Sequence, residues 1–156
     1  MIPKWHIITG LLFGLLLWLV FPKISLTGAI IVFLASVLID FDHYVYYVYK
    51  TGKFGFRGAF SWYFKNKEKF YAMTKKERSK IYVGLYLLHG VEAIVILIIL
   101  QVITENPLFS YIIIGFVFHQ ILDVIDLTKK GYRLDKVISY IYSIKNSKGK
   151  KLLQEI

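Results

Sequence analysis

Apolar residues run in four long stretches along this chain, and the polar positions between them are grouped instead of alternating. Nothing follows the two-residue period of a barrel strand, so the pattern predicts helices, each close to the roughly 20 residues that a bilayer crossing needs. The first covers about residues 5–21 and stops at Pro22-Lys23, with Trp5 and Trp18 placed as interfacial anchors. It lacks a small-x-small cleavage pattern and is read as a retained helix instead of a signal peptide. The second covers about 27–47 and carries Asp40, Asp42 and His43 in its last turns. The third, about 81–104, is interrupted only by His89, Glu92 and Gln101. The fourth, about 107–127, follows the helix-start signal Asn106-Pro107. The expected fold class is therefore all-α: a polytopic membrane protein whose four transmembrane helices form one domain over residues 1–128. Only a helix satisfies its own backbone in lipid over such lengths.

Two further segments are amphipathic. The loop over residues 50–80 interleaves Phe54, Phe56, Phe60, Trp62, Tyr63, Phe64, Phe70 and Tyr71 with lysines, which suits a segment lying among headgroups. In the tail, residues 129–156, the spacing of Leu134, Val137, Ile138, Ile141 and Tyr142 predicts a second amphipathic helix between Tyr132 and Ile144.

Composition sharpens this picture. In 156 residues, 56% hydrophobic content with a mean hydropathy of +0.55 exceeds what a soluble domain of this size carries. The net charge of +10 would suggest nucleic acid in a soluble protein. Here the charge is laid out by membrane side instead, and no nucleic acid partner is expected. Ten basic residues stand between Lys50 and Lys80 and eight follow the fourth stretch, whereas the opposite loops hold only Lys23 and Glu105. The positive-inside rule predicts a multi-pass protein of the inner or plasma membrane with both termini and the long loop in the cytoplasm. Its expected partners are membrane lipids with anionic headgroups, together with a small-molecule or lipid substrate.

Candidate chemistry lies with the histidines. There is no cysteine, so a metal must be held by nitrogen and oxygen. All four histidines, His6, His43, His89 and His119, fall in or beside apolar stretches, accompanied by Asp40, Asp42, Glu92 and Asp123. Charged groups at membrane depth carry an insertion penalty of about 2.5 to 3.5 kcal/mol each, which favours a functional reason for them. Threading the four predicted helices up and down brings all eight to the cytoplasmic half, His89 and Glu92 being roughly 12 to 16 Å from the inner end of theirs. Asp40 with His43 and His89 with Glu92 are i,i+3 pairs, and His119 with Asp123 is an i,i+4 pair. A carboxylate and an imidazole on one face of facing helices is how bundle cores hold metal ions. The set suits a divalent ion, zinc first and manganese or iron next, as one ion or two. Glu92 and Asp42 are the candidate general bases, and Arg57, near Gly55 and Gly58, is a candidate phosphate clamp. Alone, His119 with Asp123 or His89 with Glu92 also fits a plain interhelical hydrogen-bond pair.

Ala35-Ser36-Val37-Leu38-Ile39-Asp40-Phe41-Asp42-His43, followed by His119-Gln120-Ile121-Leu122-Asp123, resembles the small inner-membrane metal-dependent hydrolases of the YdjM type. His6 with Gly10, the Asp-x-Asp-His and the late His-x-x-x-Asp match in order and spacing. At the centre the family often has His-Arg-x-x-Thr-His-Ser. This chain has Gly84 where the first histidine would stand, His89 at the second, no arginine, and Ile39 in place of a proline before the Asp-x-Asp-His. The resemblance implies metal-dependent hydrolysis.

The expected function is thus a membrane-embedded metal-dependent hydrolase acting at the cytoplasmic leaflet, through metal-activated water, on a phosphoester or lipid-linked substrate. The alternatives are a non-catalytic metal-binding or transport protein and a purely structural membrane protein. A transporter would place polar groups on both sides of the midplane, and the outer half has none comparable.

Overall fold

The computed structural model describes residues 3–82, 84, 86–130, 139–147 and 149–153. Helices dominate these: α1 (Pro3–Val20), α2 (Leu26–Leu38), α3 (Phe41–Thr51), α4 (Phe56–Ala72), α5 (Lys75–Ser79), α6 (Val91–Thr104), α7 (Pro107–Lys129) and α8 (Tyr140–Ser147). A minimal parallel ladder pairs β1 (Ile81–Tyr82) with β2 (Lys151–Leu152), Ile81 opposite Lys151 and Tyr82 opposite Leu152. Starts are capped as the sequence suggests: Ser25 accepts from the Gly28 amide, Asn106 from the Leu108 amide, and Thr74 forms a reciprocal capping box with Glu77.

The helix at the centre is α2, flanked by α1 and α7. Its buried side chains are small: Gly28, Ala29, Val32, Ala35 and Ser36. The facing positions are small too, with Gly10 and Gly14 on α1 one turn apart and Gly115 on α7. At Gly115 an added Cβ would lie 2.5 Å from the Val32 carbonyl oxygen and 2.8 Å from the Ala35 Cβ, so the backbones of α2 and α7 are in near contact. Small-residue seams of this kind hold helices together where the surroundings are as apolar as the side chains. Leucines and isoleucines instead cover the outside: Leu12 is 59% exposed, Leu19 67% and Ile103 72%, whereas His119 is 0% and His6 2% exposed. The usual polarity of inside and outside is reversed.

Two helices are long and apolar enough to cross a membrane, Leu26–Thr51 with α2 and α3 taken together and Pro107–Lys129; Lys4–Val20 and Val91–Thr104 are apolar but shorter. The second predicted stretch is interrupted. Asp40 and His43 bond to the carbonyls three residues back, at 3.3 and 3.1 Å, which tightens one turn between α2 and α3. The third differs more. The described residues among 81–90 are not helical, and α6 begins only at Val91, after Gly90 in extended conformation. Gly84 has φ +147°, a backbone state that L side chains rarely adopt, and a Cβ there would lie 2.8 Å from the Tyr46 ring. His89 therefore sits on a buried loop ahead of α6, and the expected His89–Glu92 pairing along one helix face does not form.

Within the predicted basic loop, α4 is a true helix packed on α3 through Tyr44–Phe56 and Tyr47–Trp62, centroids 4.7 and 5.7 Å apart. Of the predicted tail helix, residues 132–138 lie outside the described residues, and α8 occupies Tyr140–Ser147. Leu153 beyond β2 is 1% exposed.

The α2–α7 seam sets a comparison of one substitution at two sites. Gly115→Ala should lower the melting temperature of the purified protein by the equivalent of about 1–3 kcal/mol of overpacking. Gly55→Ala, where nothing lies within 4 Å, should stay near the wild type. Equal melting temperatures for Gly115→Ala and wild type would remove the close-contact account of this seam.

Candidate metal centre

Each histidine reaches the same place from a different element: His6 from the first turns of α1, His43 from α3, His89 from the loop before α6 and His119 from α7. Antiparallel neighbours put the start of α1, the α2–α3 junction, the start of α6 and the second half of α7 at one end of the bundle. The tightened turn at Asp40 matters here. In a regular helix residues 40 and 42 point about 200° apart and could not both face one ring. With the turn tightened, Asp40 and Asp42 lie at opposite nitrogens of the His89 imidazole.

Four atoms form the middle of the cluster: His89 Nε2, His119 Nε2, Asp40 Oδ1 and Asp123 Oδ2. Asp40 Oδ1 lies 3.3 Å from His89 Nε2 and 3.6 Å from His119 Nε2. Asp123 Oδ2 lies 3.4 Å from His119 Nε2 and 3.8 Å from His89 Nε2. With zinc–ligand bonds of about 2.0–2.1 Å, a tetrahedron has edges of about 3.3–3.4 Å. The four nitrogen–oxygen distances, 3.3 to 3.8 Å, start at that length and run above it. On the flanks, His6 Nε2 is 3.2 Å from Asp123 Oδ1 and His43 Nε2 is 3.6 Å from Asp40 Oδ1. The cluster can be divided into two groups, His6 with His119 and Asp123, and His43 with Asp40 and His89.

Orientation of the rings gives an independent sign. The Nδ1 of His119 is 2.7 Å from the Ser36 carbonyl oxygen, which can only accept, so Nδ1 carries the hydrogen and a neutral ring leaves Nε2 bare. The Nδ1 of His89 is 3.0 Å from Asp42 Oδ2, which also accepts the Leu88 amide at 3.1 Å. Both Nε2 atoms are buried without a hydrogen-bond partner in the chain, although carboxylate oxygens are within 3.8 Å. A backbone carbonyl or carboxylate behind an imidazole is the arrangement that presents Nε2 to a metal ion. These residues fit a divalent cation.

Of the expected residues the structure brings His6, Asp40, His43, His89, His119 and Asp123 together, and three others are placed differently. Asp42 stands behind His89 and orients it; one of its oxygens is committed to that ring, the other buried without a hydrogen-bond partner. Glu92 is turned away. Because α6 starts at Val91, its carboxylate instead caps α8, accepting from Ser139 Oγ and from the amides of Tyr140 and Ile141, both at 3.1 Å. It is neither a ligand nor a base in this arrangement. Arg57 is exposed in the first turn of α4, and no ion pair joins it to the cluster among the described residues. Sequence spacing did not single out Ser36 and Gln120. Gln120 donates to the His89 carbonyl at 3.2 Å and ties the loop to α7.

Basic groups gather beside the cluster. Lys67 lies over the rings of Tyr63 and Tyr71, 5.5 and 5.7 Å from their centroids, and Lys130 over Tyr71 at 5.4 Å. Burial, then the neighbouring Lys130, lower the Lys67 pKa from its ordinary value.

No protein-family model, curated protein or solved structure matches this chain.

The geometry separates the roles of the carboxylates. In a zinc competition titration, Asp42→Asn should weaken affinity by about 10–100-fold while leaving the stoichiometry intact, as loss of an orienting partner does. Glu92→Gln should leave affinity at the wild-type value. Loss of the ion in Glu92→Gln with none in Asp42→Asn would reverse the assignment.

Proposed function

We propose that the chain is a membrane-embedded metal-dependent hydrolase acting at the cytoplasmic leaflet on a phosphoester or lipid-linked substrate. One observation carries this reading: the buried Nε2 atoms of His89 and His119, without a hydrogen-bond partner, both lie within 3.8 Å of carboxylate oxygens of Asp40 and Asp123. Such a set has no structural need for so many ligand atoms, since two of them would suffice to join two helices. The resemblance of the Asp-x-Asp-His and His-x-x-x-Asp motifs to YdjM-type hydrolases supports the same reading.

Four spans with both termini in the cytoplasm belong to the proposal. Its supports are the reversed polarity of the fold, the two long apolar helices and the placement of basic residues at the end that carries the cluster. The lengths of α1 and α6 are completed in this view by interfacial anchors and by the non-helical segment that carries the buried His89. Non-helical backbone is tolerated at such depth where protein surrounds it.

His89, His119, Asp40 and Asp123 would hold one ion; the two three-residue groups would hold a pair. A bound divalent ion supplies a Lewis acid and a water of lowered pKa. The chain itself does the rest. Asp42 and Ser36 keep two rings in the ligating tautomer. Asp40 and His43 are the two members of the cluster that also line the adjoining cavity, so they face a substrate. In the one-ion arrangement, where His43 is not a ligand, its Nδ1, which has no hydrogen-bond partner, would accept a proton from water and return one to the leaving oxygen. Lys67 adds positive charge that draws an anionic group toward that end, whereas Lys130 is paired with Asp126 at 2.6 Å.

Elemental analysis of wild type beside His119→Ala is the direct test, followed by hydrolysis of an aryl phosphodiester and of phosphatidic acid in vesicles. One or two equivalents of a transition metal in the wild type, lost in the variant together with hydrolysis, is the expected result. A wild type that stays metal-free in added zinc or manganese, with thermal stability indifferent to chelator, points to a structural bundle instead.

A further inference from the structure

Beside the cluster, between α1, α2, α3 and α4, lies a cavity of about 250 Å³. We propose that it holds the hydrocarbon chain of a phosphate-bearing membrane lipid, with the headgroup at Asp40 and His43. The headgroup part rests on the metal-centre reading; the chain part rests on the cavity walls alone.

The walls argue against water. At about 30 Å³ per molecule the space would take about eight waters, each in need of two to four polar partners. Ile7, Val37, Phe41, Phe56, Ala59 and Phe60 offer no polar side-chain atom. Of the polar lining residues, Tyr44 already donates to the Phe54 carbonyl at 2.7 Å. The others, Asp40, His43 and Tyr63, are grouped, the Tyr63 ring centroid being 5.1 Å from that of His43. The cavity is therefore itself amphipathic, apolar along its walls and polar where it meets the cluster.

Access and charge fit the same occupant. Ile7, Phe41, Phe56 and Phe60 are 46%, 51%, 64% and 53% exposed, so the rim is apolar and open on the outer face of the bundle. A lipid chain can reach the cavity sideways without leaving an apolar medium. A water-soluble ester would have to desolvate the rim and leave the walls uncovered. At the polar end the Lys67 ammonium over the Tyr63 ring adds positive charge, the complement of a phosphate headgroup.

The test uses the full chain in phosphatidylcholine nanodiscs that contain a phosphatidic acid with a diazirine in its acyl chain. After irradiation, labelled residues are mapped by mass spectrometry. Label should concentrate on Ile7 and on the segment from Phe56 to Tyr63. Ala59 is buried against the cavity, and Ala59→Trp should cut that label by about tenfold, the equivalent of roughly two buried methylenes. Label on the lipid-facing Val102 and Ile103 of α6 should not change and serves as the internal reference. Ala59→Leu, a smaller insertion, should give an intermediate loss if the tryptophan variant does not fold. Undiminished label in a folded Ala59→Leu or Ala59→Trp protein overturns the pocket. Equal labelling by the matching diacylglycerol probe, which lacks the phosphate, overturns the headgroup assignment. Cavity labelling that persists in a wild type devoid of metal would refute the proposed catalytic centre and leave the chain site standing. A metal-loaded wild type without cavity label would do the reverse.

Discussion

Four histidine Nε2 atoms lie 3.2–3.8 Å from carboxylate oxygens of Asp40 and Asp123 in a largely buried space, and each such contact needs a positive charge between the two atoms, a shared proton or a bound cation. Lone pairs that face each other repel, and the surroundings are too dry to screen them. Everything else in the bundle serves that constraint. The tightened turn at Asp40 and the non-helical loop carrying His89 are irregularities that an isolated apolar helix would not adopt. They persist because the side chains they aim inward have partners only there.

Helix packing supplies the precision. Because the seams of α2 with α1 and α7 are built from glycine, alanine and serine, the backbones approach closely and the long axes have little room to slide. His119 is one turn beyond Gly115, and its Nδ1 is anchored on the Ser36 carbonyl across the same seam. Small-residue contact and ligand orientation are thus one feature seen twice. A shift of one helix would both open the seam and swing Nε2 away from its neighbours.

The far end of the chain takes part as well. Glu92, at the first turn of α6, caps α8, and the β1–β2 ladder seats Leu153 in a buried position. These contacts bracket the loop that bears His89 on both sides. A carboxylate with the composition of a ligand is here a fastener, and the distinction has a physical basis: three donors already satisfy it, whereas the Nε2 atoms of His89 and His119 are buried without a hydrogen-bond partner.

Much of this was legible in the order of residues. Periodicity and length determined a helical protein, and the charge layout predicted which end would be basic. The recurrence of His and Asp at the ends of apolar stretches named six of the residues that meet. Those features are local or one-dimensional, and the penalty for an unpartnered charge in an apolar stretch makes them hard to place by accident. The sequence could not tell Glu92 from Asp40, because both are acids in apolar context and only the bonds each makes separate them. Nor could it show that helix formation gives way at 39–40 and at the described residues from 86 to 90. An apolar run of spanning length predicts helix there, and tertiary contacts override it: the Tyr46 ring against Gly84, the Leu88 amide on Asp42, and the placement of Asp40 and Asp42 at one imidazole. Which nitrogen of each histidine points inward was likewise decided only when α7 met α2, since the carbonyl that sets the His119 tautomer lies 83 residues away along the chain.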